Sequence, residues 1–166
     1  MTIGDIFGIL AATVLLALGA WALMTCSVVL FPSRCSRAKD SIESRPLGTI
    51  LLGFLCFFVV IFFGGVLLAS PFPLVKLLGL VVYALGSGVV ALGSGGAANL
   101  VSERMRRLQS GMEPLESHNK AALAIILACT TPLVGTLLLT PLFLALSMGA
   151  GVRSLLPVRQ TVAARP

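Results

Sequence analysis

The sequence predicts an all-α integral membrane protein, a four-helix transmembrane bundle whose last span is kinked or re-entrant. Three observations lead there. The 166 residues are 57% apolar and 11% charged, with a mean hydropathy of +1.04, outside the range of soluble domains. Four uncharged stretches, 6–31, 47–75, 77–101 and 121–152, hold nearly all the apolar residues. Each is long enough to cross a hydrocarbon core about 30 Å thick at about 1.5 Å per residue. The 12 basic and 6 acidic residues all fall outside these stretches. Residues 1–152 are therefore read as one four-span domain and 153–166 as a short basic tail.

The first stretch is read as a retained span rather than a signal peptide. No basic residue precedes it, it exceeds the usual apolar length of a signal, and no Ala-x-Ala-like site closes it. The connection that follows, "PSRCSRAKDSIESRP", holds Arg34, Arg37, Lys39 and Arg45 between Pro32 and Pro46. It suits a short interfacial helix whose cations lie against lipid headgroups. The second span, "FLCFFVVIFFGG", carries Phe54, Phe57, Phe58, Phe62 and Phe63 on several sides, material for filling a bundle or facing lipid. "SPFPLVK" is a tight Pro turn with Lys76 as its one cation. The third connection, "SERMRRLQSGMEPLESHNK", contains Arg104, Arg106, Arg107 and Lys120. Its first part can prolong the third helix until Ser110 and Gly111 stop it, and Pro114 and Ser117 suit the next start.

The basic residues predict orientation. Connections 32–46 and 102–120 carry four cations each and belong in the cytoplasm, which places the Pro turn and the N-terminus outside. The tail breaks this pattern: Arg153, Arg159 and Arg165 favour the cytoplasm, but four simple crossings would leave them outside. Pro132, Gly135 and Pro141, in the middle of the last stretch, offer a kinked span or a re-entrant hairpin.

The third span contains "ALGSGVVALGSG", five letters repeated at a spacing of seven from Ala84 to Gly95. On a helix, Ala84, Gly88, Ala91 and Gly95 form one strip, flanked by Gly86, Gly93, Ser87 and Ser94. Small residues let another helix approach closely and serine hydroxyls can bond across the contact, so the ladder is read as a packing interface. Its mate is a helix of the same chain, another copy or a different protein. The other reading is a pore lined by several copies of this face. In composition and spacing that one helix resembles the Gly- and Ala-rich pore helices of small-conductance mechanosensitive channels.

Chemistry is scarce. None of the apolar stretches contains Asp, Glu, Lys, Arg or His, which removes the membrane carboxylate pair of an aspartyl protease and the acidic residue of small multidrug exporters. His118, beside Glu113 and Glu116, could form a metal or acid–base site, but it lacks a second basic ligand and reads as a solvated helix start. Asn99 and Thr130, Thr131, Thr136 and Thr140 read as structural. Cys26, Cys35, Cys56 and Cys129 form no C-x-x-C pair and read as small apolar residues.

The run "LFPSRCSRAKDSIESRPLGTILLGFL", then a Pro turn, a Gly-rich third span and "TTPLVGTLLLTPLFLALSMGAG", resembles the multi-span membrane region attached to bacterial polymer-forming, bactofilin-like proteins. The β-helical polymerising part of that family has no counterpart here. The resemblance implies a bacterial four-span module, structural in role and set in the inner membrane, with no catalytic residue to transfer. The expected function is that of a non-enzymatic scaffold or accessory subunit, without cofactor. Its expected partners are the lipid bilayer and other integral membrane proteins or further copies of itself, and not nucleic acid.

Overall fold

The computed structural model describes residues 3–108, 111, 113–131 and 134–156, with the side chains of residues 3–6 and 9 left out. The described residues form six α-helices and one π-helical turn: α1 (Ile3–Leu30), α2 (Pro32–Ser44), α3 (Pro46–Ala69), α4 (Pro73–Leu108), α5 (Pro114–Thr130), the π-turn (Gly135–Leu139) and α6 (Thr140–Leu155). Proline sets most of these starts. It occupies the first or second helical position of α2, α3, α5 and α6, where its missing N–H has no intrahelical partner to lose. Four segments are long and apolar enough to cross a membrane: Leu10–Leu30, Pro46–Ala69, Pro73–Leu108 and Gly135–Leu155.

Close contacts fix the helix directions. Gly64 lies on Tyr83, Gly86 on Val60 and Gly79 on Leu67, so α3 and α4 are antiparallel. Gly53 lies on Ala145, Gly149 on Thr49 and Gly48 beside Arg153, so α6 pairs with α3 in the antiparallel sense. Ser102 and Asn99 of α4 meet Ser117 and His118 of α5, which sends α5 the opposite way. The last apolar stretch doubles back at its break as a hairpin and is not a kinked single helix: Gly135 lies on the Ala128 and Cys129 carbonyls and Thr140 on Cys129. Its break exposes carbonyls that threonines cover: Thr140 Oγ1 donates to Gly135 O (3.0 Å) and Cys129 O (3.3 Å), and Thr131 Oγ1 to Leu127 O (3.0 Å). Local hydroxyls can therefore hold an interrupted helix in an apolar setting.

The hairpin places α2, the C-terminal turns of α4 and α6 and the start of α5 at one end of the bundle, here called the basic end. The turn at Pro71–Phe72 lies at the other. Arg153 belongs to α6, whose helix runs on to Leu155; Arg159 and Arg165 lie outside the described residues.

Candidate functional site

The glycine ladder does not turn one strip toward one mate. Ala84, Ser87 and Gly88 are exposed, and a Cβ added at Gly88 would meet nothing within 4 Å. Ala91 is half-buried, whereas Gly86, Gly93, Ser94 and Gly95 are buried. Each buried glycine faces a different neighbour. Gly86 rests on Val60 of α3, Gly93 on the Ser147 carbonyl of α6, and Gly95 on Ser27, Val28 and Cys35 of α1 and α2. Within the chain, α4 is surrounded by partners along its second half, and the buried glycines of the ladder point to several of them, while Ala84, Ser87 and Gly88 meet none.

The tightest contacts form a pair of reciprocal glycine staples. Between α3 and α6, Gly53 meets the Ala145 carbonyl and Gly149 meets the Thr49 carbonyl. Between α4 and α6, Gly93 meets the Ser147 carbonyl and Gly151 the Val89 carbonyl. At all four positions a Cβ would overlap backbone, so only a Cα hydrogen can point at the facing oxygen. The Gly149–Ala150–Gly151 segment is wedged between α3 and α4. Sequence reasoning missed Gly53 and this wedge, although isolated glycines inside apolar spans were a usable signal.

The connection read as an interfacial helix does form a helix, but one face of α2 belongs to the core. Cys35, Ala38 and Ile42 are buried, and Ala38 and Ile42 pack with Ala97 and Ala150 against Leu100, Phe143 and Leu146. Arg37, Arg45, Arg104, Arg106 and Arg107 are exposed around the basic end and Arg34 is half-buried. Lys39 is not free for headgroups: its Nζ lies 2.6 Å from Glu103 Oε1, a bond that raises its pKa. Burial pushes the Cys35 thiol up to about 11, and its Sγ donates to Ser27 O at 3.3 Å. The thiol is thereby an inert packing group.

His118 is 4% exposed and points inward, away from solvent. Its Nδ1 donates to Asn99 Oδ1 (3.1 Å), leaving Nε2 as a buried lone pair without a partner. Beside this pair Ser102 and Ser117 share a 2.8 Å hydroxyl bond. Burial holds the His118 pKa below 6.5, favouring the neutral ring. The structure does not join it to the carboxylates next to it in sequence. Glu116 pairs with Lys120 (2.7 Å), and Glu113 is exposed at the start of α5. Among the described residues no group of three His, Cys, Asp or Glu could hold a metal ion.

The remaining feature is a cavity of about 740 Å³ between α1, α3, α4, α5, the π-turn and α6. Leu16, Leu23, Phe57, Val60, Ile61 and Leu144 supply its apolar walls, and Tyr83, Ser87, Val90, Ala91 and Ser94 supply the α4 side. The other aromatics of α3 face outward, with Phe58 and Phe62 stacked at 6.1 Å between ring centroids.

No protein-family model, curated protein or solved structure matches this chain, and none of these comparisons bears on the likeness to bactofilin-like membrane regions.

Proposed function

We propose that this chain is a non-enzymatic multi-pass membrane protein that works as a scaffold or accessory subunit, with its basic end in the cytoplasm. The observation that supports it is the exposed first half of α4. Ala84 and Gly88 form a small-residue face beside the mouth of the cavity that nothing within the chain covers, while the equivalent glycines further along are occupied by α6, α1 and α2. A partner helix can approach that face closely. Orientation follows from charge: of the described side chains, Arg34, Arg37, Lys39, Arg45, Arg104, Arg106, Arg107, Lys120 and Arg153 all lie at the basic end. The hairpin brings Arg153 and the end of α6 at Leu155 to that same end, which supports a cytoplasmic side for the last helix end.

The channel reading has less support. Gly86 and Gly93 face α3 and α6 of the same chain, so they are not available to line a path between copies. Catalysis has no described Asp, Glu, Lys, Arg or His between the two ends of the bundle, and the His118 ring, hydrogen-bonded to Asn99, has its pKa lowered by burial.

The test is Gly88→Leu in the native membrane. Since Gly88 has open space around it, the chain keeps its own fold and amount, while the native complex extracted in mild detergent falls to the mass of the lone chain. An unchanged complex mass in that variant would remove the exposed face as the assembly surface.

A further inference from the structure

The cavity has a direction. At the basic end Met24 (4% exposed), Ser94 (5%) and Met148 (4%) close the floor, with Leu23 (56%) at its outer rim. Towards the other end the lining opens, with Leu16 75% exposed, Ile61 45%, and Ser87, Thr130 and Thr136 exposed. It is therefore a blind slot entered from the side of the Pro71 turn, with two flexible methionines at its floor.

Its polar atoms do not ask for a polar ligand. Thr130 donates to Ile126 O (2.7 Å), Thr140 to Gly135 O (3.0 Å), Ser94 to Ala91 O (2.9 Å) and Tyr83 to Ile61 O (3.4 Å). With these protons engaged by main-chain carbonyls, the walls present mainly methyl, methylene and ring carbons. Such a space is filled by hydrocarbon in preference to water. Along α4 the slot runs from Tyr83 to Ser94, about 16 Å at helical rise.

Charge identifies the head of the occupant. Lys76 stands seven residues before Tyr83 and fourteen before Val90, both of which line the slot. That spacing puts it on nearly the same face of α4, about 10 Å above the mouth. Lys76 is exposed and is the charged member of the described side chains at that end.

We infer that the slot holds one acyl chain of a phospholipid from the leaflet at the Pro71 end, with the lipid phosphate at Lys76 and the chain terminus on Met24 and Met148. The inference rests on the chain lying in a bilayer, as proposed above. It assigns a lipid site inside the bundle rather than on its outer face. An ammonium supplies a point charge that suits a phosphodiester of any headgroup.

The experiment uses the full chain reconstituted in phosphatidylcholine vesicles, floated on a density gradient, extracted in mild detergent and weighed by native mass spectrometry. The wild type should retain one phospholipid per chain. Ala20→Phe with Ala91→Phe, which fills the slot, should lower the retained fraction about tenfold, and Lys76→Gln about threefold. Val66→Phe, exposed and outside the slot, should leave it unchanged. Wild-type protein that floats with the vesicles but emerges without lipid overturns the inference. Retention by the filled variant equal to wild type does the same, as does a second protein in place of the lipid. A chain that fails to float overturns the membrane reading itself, and the lipid site with it.

Discussion

The two copies of Ala-Leu-Gly-Ser-Gly in α4 have the same letters and opposite surroundings. In the first, 84–88, only Gly86 is buried; in the second, 91–95, Gly93, Ser94 and Gly95 are buried, and burial continues without interruption to Ala98. Nothing in the motif accounts for this. The difference lies in the neighbours, because α6 wedges its Gly149–Ala150–Gly151 segment and α2 its Cys35–Ala38 face against the second copy only. A small-residue motif licenses close approach without naming what approaches, and identical motifs seven residues apart can serve a closed core and an open flank.

The contrast is broken most sharply by adding single methyl groups. Gly93→Ala places a Cβ on the Ser147 carbonyl of α6, and backbone cannot yield as a side-chain tip does. We expect a loss of about 1–3 kcal/mol or more. Gly88→Ala meets open space and should stay within about 0.5 kcal/mol of wild type. Thermal unfolding of both variants in the same detergent compares them. Equal losses would mean that the two copies share one environment after all.

A second experiment asks whether the closed half carries a proton-linked weakness that the open half lacks. His118 is buried with its pKa lowered by desolvation, so the unfolded chain binds the proton more readily than the folded one. Its contribution is complete above about pH 6.5, the unperturbed value, and is lost as pH falls through the lower folded value. Wild-type melting temperature should therefore drop between pH 7 and 5, and His118→Gln should flatten that drop. A slope unchanged in the variant would assign the pH dependence to other groups.

The smallest expected effect concerns the serines of the two copies. Ser94 is buried and donates to Ala91 O at 2.9 Å, whereas Ser87 is exposed at the slot. Ser94→Ala should cost about 0.5–1.5 kcal/mol and Ser87→Ala less than about 0.5. Urea-free thermal scans resolve the ordering, and a larger loss at Ser87 would reverse it.

The four long apolar helices were legible because hydropathy is a one-dimensional property and each span exceeds the length that a membrane core demands. So was α2, bracketed by Pro32 and Pro46, and so was the interruption near Pro132 and Gly135. The sense of the interruption was not legible. A proline breaks a helix without saying where the chain goes next, and the reversal shows only in the fold-back of Gly135 and Thr140 onto Ala128 and Cys129. The faces of α4 were equally hidden, because small residues occur all round its second half and periodicity selects a face only where large and small alternate. The slot between α1 and α3 has no signature at all. It arises from helices that diverge, and its lining residues read as ordinary apolar positions.

The wedge has a consequence for how the molecule is made. Gly149, Ala150 and Gly151 come after both of the helices they hold apart and together, so during synthesis α3 and α4 are completed about 80 and about 40 residues before their spacer, several seconds at ordinary elongation rates. Through that interval the carbonyls of Thr49 and Val89 face no glycine, and the most tightly packed part of the bundle exists only as two waiting surfaces. Assembly of the core is thus tied to the arrival of the final hairpin. A nascent chain cut short before residue 149 differs from the finished protein in its centre and not merely at its end, which makes its middle helices the place where cellular quality control can distinguish an incomplete copy from a complete one.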